Sequence, residues 1–134
     1  MAAGQETVLD DYAFLVSETD AKGIIRFANN DFCSIAEYTI DELVGQPHSM
    51  VRHKDMPKKA FKSLWETVQS GQTWTGYVKN ATKSGGYYWV YATVYPFESC
   101  DGSKGYMSCR RKASPQEISE AEALYATWLK EEGR

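Results

Sequence analysis

The sequence predicts an α+β domain on one antiparallel sheet, and three observations lead there. Strand-like alternation fills both flanks of the chain, helical spacing fills its middle, and turn-forming residues mark the joins. Hairpin-connected strands on both sides of a helical insert pack one sheet face on helices. The concavity between those layers is where a ligand fits.

The opening "MAAGQE" reads as a loose end, and residues 1–11 are expected to form a flexible N-terminal segment. "YAFLVSET" and "IIRFAN" are strands joined by the turn "DAKG", a hairpin over residues 12–29. The period then changes. In "NNDFCSIAEY", Phe32, Ile35 and Ala36 fall at i, i+3 and i+4 behind an Asn cap, the spacing of a short helix. In "TIDELVG", Thr39 and Glu42 are spaced as a capping box and Gly45 as a stop. Next comes "GQPHSMVRHKDMP", residues 45–57, which gathers both histidines of the chain between two prolines. Phe61, Leu64, Trp65 and Val68 then make the apolar stripe of a longer helix ending at "SG".

From Thr73 the period returns to two. "TWTGYVKNATK", "GYYWVYATVYPF" and "SKGYMSCRR" are three strands joined by "SGG" and "ESCDG", which brings the sheet to five. The final stretch has Ser114 as N-cap, Pro115 at the first helical position and Glu117 completing a capping box. Ile118, Ala121, Tyr125 and Trp128 form its apolar side. The expected layout is a core over residues 12–112 and a C-terminal helix over 113–134.

At 134 residues the chain is long enough for one core. Its 43% hydrophobic and 25% charged content is that of a globular domain, and a net charge of −3 gives no basic footprint for nucleic acid. No apolar run approaches the roughly 20 residues that cross a bilayer, and no signal peptide is evident. Cys33, Cys100 and Cys109 form no CxxC and fit a reducing cytoplasm better than a disulfide framework. A cytoplasmic location is expected, including that of a cytoplasmic domain excised from a membrane-anchored receptor. No dinucleotide-binding glycine motif, metal set or catalytic triad spacing stands out, so no enzyme is expected.

Strand parity makes a pocket plausible. Trp74, Gly76, Val78 and Asn80 share one face of their strand, and Tyr88, Val90, Ala92 and Val94 share one face of the next. If both faces turn inward, the cavity receives an indole, a backbone gap and a carboxamide over a narrowing apolar floor. The alternative is that Trp74 fills core and Asn80 satisfies a turn. In the 45–57 loop, Arg52 and His53 can donate to a phosphate or ribose. Asp55 either joins them or caps the helix that follows, and His48 either joins them or closes a turn. Trp65 lies on an apolar helical stripe and is equally consistent with core.

The quoted 45–57 loop, "AFKSLWETVQSGQTWTGYVKN", "KSGGYYWV" and "GYMSCRR", in this order, resemble a PAS sensor domain. More narrowly, they resemble the FAD-binding PAS domain of bacterial aerotaxis receptors, over about residues 8–130. "NATKSG" followed by "YYW" is also similar to the strand–turn–strand of flavin-binding light-sensing PAS domains. The resemblance implies the PAS fold: a five-stranded antiparallel sheet with short helices on one face and a C-terminal helix. It implies FAD as cofactor, held by Asn29, Arg52, His53, Asp55, Trp65, Trp74 and Asn80, with Tyr88 added. The sequence departs from the family where Lys54 replaces a proline and Val90 replaces a second flavin-contacting Asn. No cysteine lies between Gly45 and Ser70, so the adduct chemistry of light-sensing relatives is not expected.

The implied function is a redox or oxygen sensor that relays flavin state to a signalling partner and gates a chemotaxis kinase pathway. Tyr87, Trp89, Tyr91, Thr93 and Tyr95 make an outer aromatic row too large to stay uncovered. The C-terminal helix, the N-terminal segment, a second copy or a receptor signalling segment could cover it. Two rival readings stand beside the flavin. One is another ligand in the same cavity, either haem on His48 or His53 or a small organic acid on Arg52. The other is a ligand-free dimerisation module.

Overall fold

The structure is a computed structural model and describes residues 5–133. The chain runs β1 (Phe14–Asp20), β2 (Ile25–Ala28), α1 (Asn30–Ala36), α2 (Ile40–Leu43), a 3₁₀ turn (His48–Val51) and α3 (Lys58–Gln69). It continues with β3 (Trp74–Ala81), β4 (Tyr87–Glu98), β5 (Lys104–Lys112) and α4 (Pro115–Glu131). The five strands form one antiparallel sheet in the order β2-β1-β5-β4-β3. The N-terminal hairpin joins the three-stranded unit through β1 and β5, with Leu15 opposite Arg110 and Ser17 opposite Ser108. That pairing satisfies two strand edges that would otherwise be open.

Local sequence explains where the helices begin. Asn29 caps α1, and the pairs Thr39–Glu42 and Ser114–Glu117 close capping boxes as their spacing predicts. Glu37 ends α1 at φ 69°, and its carboxylate accepts from the Ser84 N–H at 2.9 Å, tying the helix to the β3–β4 turn. The 45–57 stretch is more ordered than a plain loop, because its middle coils into the 3₁₀ turn. Pro57 precedes α3 without a side-chain cap bond, so Asp55 does not cap that helix.

Helices α1, α2 and α3 cover the inner face of the sheet. Leu15, Ile25, Phe32, Leu43, Val51 and Val90 are buried there, each stabilising the fold by about 1.5–3 kcal/mol. Strand parity is as predicted: Trp74, Val78 and Asn80 are buried on β3, and Tyr88, Val90, Ala92 and Val94 on β4. Gly76 is required under Trp74, since a Cβ there would meet the indole at 2.5 Å.

The outer face is covered in part from within the chain. Tyr125 of α4 stacks on Trp89 with ring centroids 6.3 Å apart, and the Tyr77 hydroxyl donates to Glu117 at 2.6 Å. Trp89 is therefore buried under α4, not offered to a partner as its place in the aromatic row suggested. Within the N-terminal segment, expected to be loose, residues 5–7 pair with β4 at Tyr87. The Thr7 N–H donates to the Tyr87 carbonyl, the Tyr87 N–H donates to the Gln5 carbonyl, and Leu9 is buried. Residues 1–4 lie outside the described residues. Tyr87, Tyr91 and Tyr95 stay half-buried. Among the described residues no helix is long and apolar enough to cross a membrane.

Candidate functional site

Between the inner sheet face and α3 lies a cavity of about 370 Å³. Val78, Ala92 and Val94 line it from the sheet, and Phe61, Leu64 and Trp65 from α3. Exposed Lys22, Pro47, Ser49 and Arg52 rim its mouth. Gly23 turns the β1–β2 corner at φ 85°, and a Cβ there would press on the Trp65 ring at 3.3 Å. The Trp65 ring meets Tyr106 edge to face, with centroids 5.4 Å apart.

Polar side chains cluster deeper in the cavity. Arg110 is 4% exposed, and its Nη2 donates to His48 Nε2 at 2.6 Å and to Ser17 Oγ at 3.1 Å. A guanidinium has no acceptor, so His48 Nε2 must accept and the ring proton sits on Nδ1. Burial first, and the Arg110 charge second, push the His48 pKa down to about 3 and keep the ring neutral. Burial lowers Arg110 to about 10, which still leaves it charged at neutral pH. Its guanidinium rests 4.9 Å from the Phe32 ring centroid. Arg110 Nη1 and Ser108 Oγ are buried without a hydrogen-bond partner among the described residues.

Three of the eight predicted ligand-holding side chains line this cavity: Arg52, Trp65 and Asn80. Asn80 is 3% exposed, and its Nδ2 makes one long bond of 3.4 Å to the Tyr88 hydroxyl. Tyr88 is fully buried behind it, outside the lining, and burial raises its hydroxyl pKa. Arg52 lays its guanidinium 3.6 Å from the Phe61 ring centroid, a cation held on an aromatic face at the mouth.

The other four lie elsewhere. Arg52 is bridged to Asn80 in extended backbone, so the next residue, His53, turns to the opposite side. His53 packs edge to face on Tyr87 at 6.0 Å, and its Nδ1 accepts from the Asp55 N–H at 3.0 Å. Burial, then the Lys79 charge, lowers its pKa. Asp55 pairs with Lys79 at 3.2 Å. Asn29 is engaged as a cap: Oδ1 accepts from Phe32 and Val16, and Nδ2 donates to the Phe14 carbonyl at 2.7 Å. Trp74 lies over Gly76 and donates from Nε1 to Ser63 at 3.3 Å.

Sequence reasoning missed Arg110, Ser108 and Thr19, and left His48 open between a ligand-binding residue of the loop and a turn residue. A signal was present. Ser17 and Thr19 alternate on β1, as Tyr106, Ser108 and Arg110 do on β5, each a polar series on one strand face. The resulting arrangement is a slot with apolar walls, buried donors inside and cationic groups at the mouth.

The PAS fold family matches residues 25–110. The chain is 46% identical over 121 residues to the aerotaxis receptor of Escherichia coli strain K12, covering 90% of this chain and 24% of the receptor. It is 27% identical over 109 residues to a nitrogen fixation regulatory protein of Klebsiella pneumoniae, covering 81% of this chain and 22% of that protein. A solved light-oxygen-voltage domain from work on a flavin analogue superposes with TM-score 0.67 at 19% identity. That match covers 88% of this chain and 87% of the other, and it is a likeness of fold. The chain spans about a quarter of the length of the curated relatives it matches. The family match takes in β2 through most of β5, with the helices that close the cavity, and the chain belongs to the PAS fold family.

Proposed function

We propose that this chain is the FAD-binding, redox-sensing PAS domain of an aerotaxis-type chemotaxis receptor. Asn80 carries the reading: a buried amide beside an apolar slot, in a chain 46% identical to an aerotaxis receptor. An isoalloxazine has flat apolar faces and an edge of carbonyl and N–H groups, which an amide matches with donor and acceptor together. The cavity is near the low end of ligand pockets, roughly 300–1,000 Å³. That suits a three-ring system inside, with ribose and phosphates at the mouth. Lys22 and Arg52 supply positive charge there, and the Arg52 fork suits phosphate oxygens.

A bound flavin supplies reversible electron transfer with the cell's electron carriers. Asn80 orients its ring edge and Trp65 helps exclude water from its face. The remaining predicted residues act by holding the walls. Tyr88 backs Asn80, while His53 and the Asp55–Lys79 pair fix the segment that carries Arg52. Asn29 anchors α1, and Trp74 shapes the join of β3 and α3. A change in what Asn80 bonds to acts on β3, whose Tyr77 carbonyl holds α4. Two arrangements of α4 would then be biased by the cofactor's state. The partner is a second copy or a receptor signalling segment, met on the outer side of α4, and a chemotaxis kinase lies downstream. The domain would work in the cytoplasm as part of a membrane-anchored receptor.

An absorption spectrum of the purified chain after FAD supplementation tests this reading. Bound flavin bands that bleach on reduction are expected, and no bound flavin at saturating FAD would overturn it. One rival has a specific observation in its favour: a small carboxylate could neutralise Arg110. Thermal shifts against carboxylates, without FAD, separate the two. Haem is not favoured, because His48 Nε2 is engaged by Arg110 and His53 packs against Tyr87 outside the cavity lining.

A further inference from the structure

A buried cation is stabilised when an opposite charge or a full set of hydrogen bonds meets it. Arg110 has neither. No carboxylate forms an ion pair with it among the described residues, and Nη1 has no partner. Its other terminal nitrogen is anchored, since Nη2 is held between His48 and Ser17. The guanidinium plane is therefore fixed in a residue that lines the cavity, with Nη1 buried and unpartnered. Ser108, two residues back on the same inward face of β5, adds a second uncommitted polar atom.

We infer that Arg110 recognises the electron-rich, carbonyl-bearing edge of a planar heteroaromatic ligand, with His48 as its positioning residue. The pair also favours whichever form of that ligand carries more negative charge. The inference rests on the flavin reading above, and it assigns the flavin's charge preference to this chain's own cation. Inside a poorly solvated cavity, a fixed positive charge stabilises added negative charge far more than water does. His48 suits the positioning task because its neutral ring offers Nε2 as an acceptor. A protonated ring would lose that acceptor and repel the guanidinium.

The test uses the full chain with FAD as probe. Arg110→Met without FAD is expected to show an unchanged or higher urea midpoint, because an unpaired buried charge gives way to an apolar side chain. Its FAD affinity should fall at least tenfold. Its reduction potential should fall by about 59 mV for each tenfold of preference lost in a one-electron couple. Arg110→Lys should recover part of the potential through its charge, but not the affinity, since the fork is gone. His48→Phe should lower the potential in the same direction, and His48→Gln, whose amide oxygen can accept from Arg110, should restore it.

Wild-type binding with affinity and potential unchanged in Arg110→Met would overturn this inference and leave the flavin reading standing. Absence of FAD binding by the wild type would overturn both. If Arg110→Met does not fold, the His48 pair decides, and a wild-type potential in His48→Phe overturns the inference.

Discussion

The hydroxyl of Tyr125 donates to the carbonyl oxygen of Tyr77 at 2.5 Å, so a residue of α4 closes part of the free edge of β3. Two residues along, the Lys79 carbonyl accepts from the His53 N–H at 3.3 Å. One strand edge thus docks both the C-terminal helix and the segment that carries Arg52. Burial pushes the Tyr125 hydroxyl pKa up to about 12, so it remains a donor throughout the physiological range.

Tyr125→Phe keeps the ring against Trp89 and removes the hydrogen bond. It should cost about 0.5–1.5 kcal/mol. Tyr125→Ala also empties the contact with Trp89 and should cost about 3–5 kcal/mol. Urea unfolding followed by tryptophan fluorescence measures both. Equal losses in the two variants would mean that the ring's packing contributes little.

Gly76→Ala should destabilise the fold by roughly 1–3 kcal/mol, because the new methyl drives into the Trp74 indole. The near-ultraviolet circular dichroism should change with it, as Trp74 leaves its place over β3. A variant as stable as the parent, with an unchanged spectrum, would show that the indole does not lie there.

Acidification from pH 6.5 should weaken the fold through His48. Its folded pKa is about 3, against 6.5 for the free ring, so the unfolded chain binds more protons between those values. This contribution is complete above pH 6.5 and is lost as pH falls toward 3, at up to about 1.4 kcal/mol per pH unit. Arg110 and Arg52 are the charged groups that oppose protonation of the ring. His53 is shifted in the same direction and adds to the slope, and the carboxylates join only below about pH 5. His48→Gln should flatten the urea midpoint between pH 5 and pH 6.5 (roughly the histidine range), whereas a profile as steep as the parent's would contradict the burial of this ring.

Asn29→Ala and Asp55→Asn should separate scaffold from surface. Asn29 makes three hydrogen bonds that tie α1 to β1, and its loss should cost about 1–2 kcal/mol or slightly more. Asp55 is exposed and pairs with Lys79, so its loss should cost less than about 1 kcal/mol. Thermal unfolding of the two variants in parallel checks the order.

Much of this architecture could be read locally. Alternation marked the five strands, and Asn29, Thr39 and Ser114 marked helix starts, because periodicity and capping depend on neighbours within one turn or one pleat. The inward row of β3 and β4, which includes Asn80, was legible for the same reason, as was the apolar stripe of α3 that carries Trp65.

Other features depended on contacts that no local pattern encodes. Arg52 and His53 look like a pair in the chain, yet extended backbone at the bridge to Asn80 turns one toward the cavity and the other toward Tyr87. The Arg110–Ser17 contact joins residues 93 positions apart, and it exists only because β5 pairs with β1 in this register. A shift of one residue would turn Arg110 to the outer face. The amino-acid order by itself determined which segments are strands and helices and which side chains alternate together, since those preferences are short-range. Only the tertiary structure decided that α4 covers Trp89 and that Arg110 meets His48, because strand pairing and layer packing choose which of two faces looks inward.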